Sequence, residues 1–380
     1  MLLRARRPTA PPAAVVGDLD LVRPLGLAGV RPSVVCPEGH PTRFSRFAAG
    51  WIDSAGPDLA DRLVAWAQAL PERPLLFIQT DAGLRLFVEA SERLEAALRF
   101  VMPPAELVTD LLDKARFQAL AERAELPIPA ARWVAAGDPA GAAGLPAPFI
   151  VKPASRARAW WDLVGWSKVV RIDAPEEWDR LAPQLAERGI DVLLQEYVPG
   201  GEDRVESYHF YADAGGTVRG EFTGRKLRTR PADFGISTAL LTTDAPDVRA
   251  AGRTAVERLG LRGPAKLDFK RAPDGTLRLF EVNPRFTLWA HLGFRAGVNL
   301  PALMVAELTG APFPPLARAR PGVRWMEPRQ DVAAVREQGG SLVRWAPWAL
   351  RCEAKSGAAL DDPMPILRGK VWPRLRRGGD

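Results

Sequence analysis

Short apolar runs alternate with amphipathic segments over the first hundred residues. The runs 13–16, 31–36 and 75–78 have the length and composition of buried strands, and residues 19–28 between the first two have helical spacing. Two short strands joined by a helix are typical of a parallel βαβ unit. The pattern therefore predicts an α/β domain at the start of the chain.

Two aspartates follow predicted strands. Asp18 comes after the run 13–16, and Asp81 comes after the run 75–78. Because ligands of open parallel sheets bind beyond the carboxyl ends of the strands, each aspartate is placed either to contact a substrate or to cap the next helix. No G-x-G-x-x-G motif accompanies these strands, which leaves a dinucleotide-binding fold without support.

The pattern changes in the rest of the chain, where the elements are longer. Helices are predicted at 89–100, 104–126, 175–188 and 247–259. Strands are predicted at 149–151, 168–172 and 192–198. The alternation from 205 to 226 predicts antiparallel strands broken at Gly215-Gly216. This mixture indicates a second domain with antiparallel sheets.

A hairpin is the most informative of these later elements. Two alternating apolar–polar runs between residues 265 and 283 flank the pair Asp274-Gly275. Asp-Gly is the favoured centre of a two-residue hairpin turn because it tolerates positive φ. Taking this pair as the turn places Asp268 directly opposite Glu281, with Cβ atoms about 5 Å apart on one face of the hairpin.

Opposed carboxylates on this face need a positive charge between them. Mg²⁺ prefers oxygen ligands, among them one or two carboxylates and phosphate oxygens, and Asn283 extends the face by one neutral oxygen. The hairpin therefore predicts a magnesium site at Asp268, Glu281 and Asn283. The alternative is a solvated face on which Lys266 and Lys270 offset the carboxylates.

The residues flanking this face complete the prediction. Phe280 and Val282 alternate with the polar positions and are expected together on the opposite face of the hairpin. Pro284 cannot continue a central strand, so the chain turns there. Arg285 is then left beside the metal site, where a guanidinium can hold phosphate or carboxylate.

These residues carry a resemblance to a known family. Asp268 followed by Glu281-Val282-Asn283-Pro284-Arg285 resembles the metal-binding signature of ATP-grasp enzymes, in their carboxylate–amine ligase branch. Further segments of the family pattern follow in the expected order, at Asp113-Lys114, 126–129, 149–153, 195–200, 224–235 and 297–301. The resemblance covers about residues 13–312.

The resemblance implies a fold of α/β and α+β type. A parallel βαβ domain that precedes the ATP-grasp domain would occupy residues 1–100. The two lobes of the ATP-grasp domain, with antiparallel sheets, would follow: the N-lobe or lid at 101–190 and the C-lobe with the metal hairpin at 191–312. Residues 313–380 would form an irregular extension, whose Trp345 and Trp348 would lie either on a membrane surface or against the protein.

The resemblance also implies roles for individual residues. Lys114 and Lys152 would neutralise the ATP phosphates. Adenine would be read by a hinge made of Gln195, Glu196, Tyr197 and Val198, with Glu196 and Val198 using backbone groups. Glu202 or Asp203 would accept the ribose hydroxyls. One or two Mg²⁺ ions would be held by Asp268, Glu281 and Asn283. Arg285 and Lys226 would act in catalysis by stabilising charge on the γ-phosphoryl and the acyl phosphate.

The phosphate side of the site departs from the family pattern. Many members cover the phosphates with a glycine-rich loop, but residues 154–167 contain a single glycine, Gly165. Backbone cradling of phosphate is therefore not expected. Either Arg156 or Arg158 takes over this function, or the loop is a lid that orders on binding.

Composition narrows the class of protein. The 380 residues suffice for two or three domains, and no apolar run approaches the roughly 20 residues of a membrane helix. The net charge of +7 reflects arginines distributed along the whole chain, and no nucleic-acid-binding motif accompanies it, so nucleic-acid binding is not expected. No apolar stretch follows the N-terminal arginines, so no signal peptide is expected. Two distant cysteines and three scattered histidines, His40, His209 and His291, exclude a disulfide framework and a zinc site and favour a cytoplasmic protein.

The resulting expectation is an ATP-dependent ligase that joins a small-molecule carboxylate, such as an amino acid, to an amine. The reaction would pass through an acyl phosphate and release ADP and phosphate. Neither nucleic acid nor membrane is an expected partner, and assembly as a homodimer is left open. The alternatives are a small-molecule kinase of the same fold and a non-catalytic nucleotide-binding protein.

Overall fold

Three β-sheets organise the chain. The structure is a computed structural model that describes residues 10–142, 144–154, 158–165, 167–357 and 361–371. Within these ranges no helix combines the length and apolar character needed to cross a lipid bilayer.

The first sheet is parallel and has four strands. Its strands are β1 (Ala13–Val16), β2 (Ser33–Cys36), β3 (Gly50–Asp53) and β4 (Leu75–Ile78), in the order β3-β2-β1-β4. Its helices are α1 (Leu19–Leu27), α2 (Leu59–Gln68) and α3 (Asp81–Ala97). The predicted parallel βαβ unit is confirmed. The helix predicted at 89–100 instead begins at Asp81, because its first turn is capped by Thr80, whose hydroxyl accepts from the Gly83 N–H at 3.0 Å.

The second sheet is antiparallel and also has four strands. The helices α4 (Ala105–Leu112) and α5 (Lys114–Arg123) precede it in the chain. The sheet consists of β5 (Ala131–Val134), β6 (Phe149–Pro153), β7 (Val170–Ile172) and β8 (Val192–Glu196) in the order β5-β8-β6-β7, with helices α6 (Arg158–Val164) and α7 (Pro175–Glu187) between its strands. The single helix predicted at 104–126 is wrong. It is split at Asp113, whose side chain accepts hydrogen bonds from the N–H groups of Ala115 and Arg116 and so caps α5.

The third sheet has seven strands in the order β13-β12-β9-β10-β11-β14-β15. Its strands are β9 (Val205–Ala212), β10 (Val218–Arg230), β11 (Ile236–Thr243), β12 (Gly263–Arg271), β13 (Leu277–Asn283), β14 (Arg324–Met326) and β15 (Ala354–Lys355). Its helices are α8 (Pro246–Leu259), α9 (Trp289–Ala296), α10 (Leu300–Thr309), α11 (Pro328–Glu337), α12 (Leu342–Leu350) and α13 (Met364–Ile366). All pairings are antiparallel except the one between β14 and β15.

The expectation of an irregular C-terminal extension is wrong. β14 pairs with β11 and therefore continues the large sheet. α11 is fixed to the same sheet by buried Asp331, which accepts hydrogen bonds from Arg228 on β10 at 2.8 and 2.7 Å. Trp345 and Trp348 pack against the small core around Met326, so the packing alternative holds for them. The pairing of β14 with β11 incorporates this segment into the sheet, and a local sequence pattern does not contain such tertiary pairing.

The hydrophobic core joins the first and third sheets. Phe77 of β4, Phe222 of β10 and Trp289 of α9 belong to one buried cluster. The Phe286 N–H donates to the Ile78 carbonyl at 3.0 Å, so the end of the metal hairpin meets the carboxyl end of β4. The fold thereby brings the ligand-binding edge of the parallel sheet beside the predicted metal residues.

Candidate active site

The hairpin has the predicted pairing but not the predicted turn. Asp268 lies opposite Glu281, which confirms the expected register. The loop has three residues, because the Gly275 N–H donates to the Ala272 carbonyl at 3.0 Å and the Ala272 N–H donates to the Thr276 carbonyl at 2.9 Å. Gly275 has a φ of 89°, as expected after a type I turn. The two-residue turn is therefore wrong.

A β-bulge restores the pairing. The register shifts between Asp268 and Phe269, because Phe269 lies opposite Leu279 and leaves Phe280 as an extra residue on β13. The expectation that Phe280 lies on the same face as Val282 is therefore wrong. Leu279 is fully buried in the core with Val282, whereas Phe280 lines a cleft together with Glu281.

The two opposed carboxylates have different surroundings. Asp268 is 1% exposed and accepts hydrogen bonds from the Ser207 hydroxyl and the Lys266 ammonium group. Burial raises the pKa of Asp268, but the positive charges of Lys266 and Lys226 outweigh it, so its pKa lies below the ordinary value. The side chain of Glu281 is 47% exposed, with a carboxylate oxygen 3.9 Å from the Lys266 nitrogen.

The donor set fits a magnesium ion that also binds phosphate. In the described ranges, no three His, Cys, Asp or Glu side chains converge on a metal-binding position. Asp268 and Glu281 supply two carboxylates, and Asn283 lines the cleft beside Glu281. Mg²⁺ commonly takes one or two carboxylates and fills its remaining positions with phosphate and water. Here the cation between the carboxylates is the ammonium group of Lys266.

Arg285 connects the hairpin to the parallel sheet. Its Nη2 lies 2.7 Å from Oδ1 of Asp81 and donates to Oδ1 of Asn283 at 3.2 Å. Asp81 is not a helix cap, since Thr80 caps α3, and its side chain lines the cleft. The N-cap alternative is therefore wrong for Asp81.

Asp18 does cap its helix. Its carboxylate accepts from the Asp20 N–H at 2.9 Å and from the Gln79 amide at 2.9 Å. Burial, reinforced by the negative charge of Asp20, raises the pKa of Asp18 to about 6. The N-cap interpretation thus holds, and a carboxyl group with a raised pKa lies at the edge of the parallel sheet.

Lys226 forms an ion pair inside the cleft. Its nitrogen lies 2.9 Å from Oε2 of Glu202. Burial lowers the pKa of Lys226, but the carboxylates of Glu202 and Asp268 outweigh it, so the pKa lies above the ordinary value and the side chain is charged. Glu202 lines the cleft, whereas Asp203 is exposed and lies outside its lining.

A single cleft of about 410 Å³ collects most of the predicted site residues. Those that line it are Lys114, Lys152, Gln195, Glu196, Tyr197, Val198, Glu202, Lys226, Glu281 and Asn283. Asp203, Asp268 and Arg285 do not line it. Arg285 nevertheless contacts the lining residue Asp81, and Asp268 lies opposite the lining residue Glu281 on the neighbouring strand.

Basic side chains dominate the charge of the cleft. Among the described lining residues six are basic and four are acidic, an excess that suits a polyphosphate. Lys152 donates to the Gln195 amide oxygen at 2.7 Å, and Lys114 donates to the Pro153 carbonyl. The basic lining residues that the sequence pattern did not indicate are Arg85, Lys168 and Lys270. Arg85 and Lys168 belong to no motif, so only the three-dimensional arrangement reveals them, whereas Lys270 was expected on the carboxylate face of the hairpin but not as a cleft residue.

Comparisons with solved structures identify this architecture. No family model matches the sequence, and no curated protein matches it. An N5-carboxyaminoimidazole synthetase from Staphylococcus aureus complexed with ADP is 15% identical, with a TM-score of 0.62 over 80% of this chain and 79% of that chain. Biotin carboxylase from Campylobacter jejuni in a β,γ-ATP complex is 13% identical, with a TM-score of 0.63 over 82% and 74%. An L-amino acid ligase from Bacillus licheniformis is 14% identical, with a TM-score of 0.60 over 80% and 76%. The chain has the ATP-grasp fold.

The hinge of this ATP-grasp fold differs from the expectation in one respect. The Glu196 N–H donates to the Ala130 carbonyl at 2.8 Å, so this N–H is engaged within the protein. The Tyr197 ring lies under the Arg171 guanidinium at 4.2 Å and the Lys270 nitrogen at 5.0 Å. Val198 is buried at the cleft wall.

Helix α6 occupies residues 158–164 of the segment that was expected to cover the phosphates. Arg158 begins that helix with a side chain 92% exposed and 3.6 Å from Asp162. It does not line the cleft, so the expectation that Arg158 replaces the glycine-rich loop is not supported. Arg156 lies outside the described residues. Lys168, beyond the helix, is the basic residue of this region that lines the cleft.

Proposed function

We propose that the chain is an ATP- and Mg²⁺-dependent ligase that joins a carboxylate to an amine. One observation carries the proposal: a single cleft of the ATP-grasp fold combines Lys114, Lys152 and Lys226 with Glu281, which lies opposite the buried Asp268 on the neighbouring strand. Lysines suit phosphate groups, and the carboxylate pair suits a divalent cation. The ADP and ATP complexes of similarly folded proteins support a nucleotide as the occupant.

The nucleotide is proposed to lie along the cleft. Phe280 and Val198 offer apolar surface for the adenine ring, next to the hinge residues Gln195–Val198. Lys114 and Lys152 would bind the phosphates by exchanging their present partners, Pro153 and Gln195, for phosphate oxygens. Of the two ribose candidates, Glu202 has the better placement, since it lines the cleft.

The proposed reaction has two steps. The substrate carboxylate attacks the γ-phosphorus of ATP, the bond to the β–γ bridging oxygen breaks, and ADP and an acyl phosphate form. The amine then attacks the acyl carbon, loses a proton to solvent and expels phosphate, which leaves an amide. Activation by ATP makes a protein nucleophile unnecessary.

In this proposal, the protein's side chains position the reacting groups and neutralise their charge. Lys226 stays protonated beside Glu202 and Asp268, so it is suited to stabilise negative charge on the transferring phosphoryl group. Arg285 would bind the substrate carboxylate, which competes with Asp81 for its guanidinium group. Mg²⁺, held by Glu281, Asn283 and Asp268, would supply further neutralisation of phosphate charge.

The amine is proposed to bind at the edge of the parallel sheet. Asp18 and Asp81 both lie at carboxyl ends of its strands, and Asp81 contacts Arg285. An acidic group beside a guanidinium group, as Asp81 is beside Arg285, suits a substrate that carries both an ammonium and a carboxylate group, as an amino acid does. A cytoplasmic location and domain boundaries at 100, 190 and 312 stay predictions.

The proposal is tested with purified protein, ATP and Mg²⁺. Pairs of amino acids and simple amines are screened for release of both ADP and phosphate, and products are identified by mass spectrometry. The expected result is equimolar ADP, phosphate and amide that requires both substrates. ADP formed with a stable phosphorylated alcohol would instead identify a kinase. Absence of nucleotide binding by calorimetry would reject both enzymes.

A further inference from the structure

We propose that Lys266 is a built-in cation that occupies the metal position between Asp268 and Glu281 until a metal–nucleotide complex displaces it. Lys266 lies on β12, two residues before Asp268 and opposite Asn283. Its ammonium group donates to Asp268 and lies 3.9 Å from the nearest carboxylate oxygen of Glu281. It therefore lies between the two side chains that the sequence pattern assigns to magnesium.

Both carboxylate oxygens of Asp268 already accept a hydrogen bond in this arrangement. One oxygen accepts from the Ser207 hydroxyl and the other accepts from Lys266. Because Asp268 is 1% exposed, an unpaired charge there would be costly, and the ammonium group removes that cost. Glu281 is about half exposed and keeps its access to the cleft.

An ammonium group and a divalent cation cannot share this position. Like charges a few ångströms apart repel strongly away from bulk water, so binding of a metal to Asp268 requires Lys266 to move. Metal affinity in the nucleotide-free protein is then limited to what Glu281 and Asn283 provide. The carboxylates act as a pair of ligands only after the exchange.

The surroundings of Lys266 restrict where its ammonium group can go. On the neighbouring strand it lies opposite His209, which is buried against Phe222 and Trp289 with ring centroids 4.5 Å away in each case. This aromatic group offers no carboxylate to an ammonium ion. Movement past Glu281 into the cleft is the remaining direction, and there phosphate oxygens would be its partners.

The last step, delivery of Lys266 to phosphate, rests on the proposed function, whereas the occupancy of the metal position does not. The test therefore begins with nucleotide-free full-length protein and uses Mn²⁺ as the probe, with binding followed by electron paramagnetic resonance. The Lys266→Met variant is expected to bind Mn²⁺ about 10- to 100-fold more tightly than wild type, since one charge-assisted hydrogen bond no longer competes. Lys266→Arg keeps the charge and is expected to match wild type.

Two further variants keep the inference testable if Lys266→Met fails to fold. Asp268→Asn is expected to leave Mn²⁺ affinity unchanged in nucleotide-free protein, because Asp268 is already occupied by Lys266. With a non-hydrolysable ATP analogue present, the same variant is expected to lose at least about tenfold in Mn²⁺ affinity. Lys355→Met, at a partly buried lysine on β15 that does not line the cleft, is the matched control and is expected to bind Mn²⁺ as wild type does without nucleotide.

Thermal unfolding gives an independent readout. Lys266→Met is expected to melt below wild type in a chelator and to regain stability when Mn²⁺ is added, because either cation can neutralise Asp268. The inference is overturned if Lys266→Met binds Mn²⁺ no more tightly than wild type. It is also overturned if Asp268→Asn weakens Mn²⁺ binding without nucleotide. Failure to bind any nucleotide would reject the proposed function but leave these nucleotide-free results decisive.

Discussion

The β-bulge in the hairpin of β12 and β13 places the neighbouring residues Leu279 and Phe280 in different environments. Alanine substitution of each residue distinguishes the consequences. Leu279 is 0% exposed and lies in the core of the large sheet, whereas Phe280 is only partly buried and lines the cleft. Truncation of Leu279 should therefore lower stability, and truncation of Phe280 should weaken nucleotide binding. A hairpin without the bulge would give the opposite pattern.

The magnitudes follow from these environments. Leu279→Ala removes a fully buried side chain and leaves a cavity, which costs about 2–5 kcal/mol of unfolding free energy. Phe280→Ala removes a proposed stacking surface for adenine, worth about 1–3 kcal/mol per base, or roughly a 5- to 150-fold rise in Kd. Its stability cost should stay near about 1 kcal/mol, because the ring is already partly exposed to solvent in the cleft.

Two assays on the same preparations decide the matter. Urea denaturation gives the free energy of unfolding, and calorimetry gives the Kd for ATP with Mg²⁺. The reasoning is refuted if Phe280→Ala costs as much stability as Leu279→Ala while its Kd stays at the wild-type value. Each variant serves as the control for the other, since the two positions are adjacent on β13.

Three further outcomes are expected. Glu281→Gln should abolish turnover and its Mg²⁺ dependence, measured as ADP release; near wild-type turnover would remove Glu281 from the metal site. Lys226→Ala should lower kcat by about 10²–10³-fold with a smaller change in the KM for ATP, because the charge of Lys226 is proposed to act on the transferring phosphoryl group. An equally large rise in the KM for ATP would indicate that Lys226 contributes to ground-state binding instead. The pKa of Asp18 is raised to about 6, so the folded state binds the Asp18 proton more tightly than the unfolded state does. The resulting contribution to the free energy of unfolding is complete below the unfolded pKa and is lost as pH rises through 6. The free energy of unfolding of wild type, measured by urea denaturation, should therefore fall by about 2 kcal/mol between pH 4 and pH 7 relative to that of Asp18→Asn. If the two proteins showed the same dependence of stability on pH, this account would be contradicted.

Elements with a strong apolar pattern were the predictable part of the fold. The bounds of β1, β4 and β13 agree with the runs 13–16, 75–78 and 277–283. β3 and β14 were missed because neither has a clear alternation, and each forms through hydrogen bonds to neighbouring strands. Tertiary pairing, which a local pattern does not contain, decides such short strands.

The pairing of Asp268 with Glu281 was predicted correctly for a reason that was partly wrong. The loop is one residue longer than the two-residue turn, with the extra residue on the β12 side, and the bulge at Phe280 adds one residue on the β13 side. The two register shifts cancel for the strand pairs beyond the bulge, which include Asp268 and Glu281. Only the pairs between the bulge and the turn differ from the predicted register. That error explains why the pair was right while Phe280 was assigned to the wrong face.

The unequal burial of the two carboxylates was beyond the reach of the sequence and changes what the motif means. Alternation places Lys266, Asp268 and Glu281 on one face, and on that basis both acids look equally available to a metal. In the structure Asp268 is 1% exposed and held by Lys266, whereas Glu281 is about half exposed. A metal approaching from the cleft therefore meets Glu281 first, and Asp268 joins only when its lysine is replaced. The sequence offered two interpretations of this face: a magnesium site, or lysines that offset the carboxylates. In the proposed exchange these are two states of one site, and the Mn²⁺ titration of Lys266→Met distinguishes them.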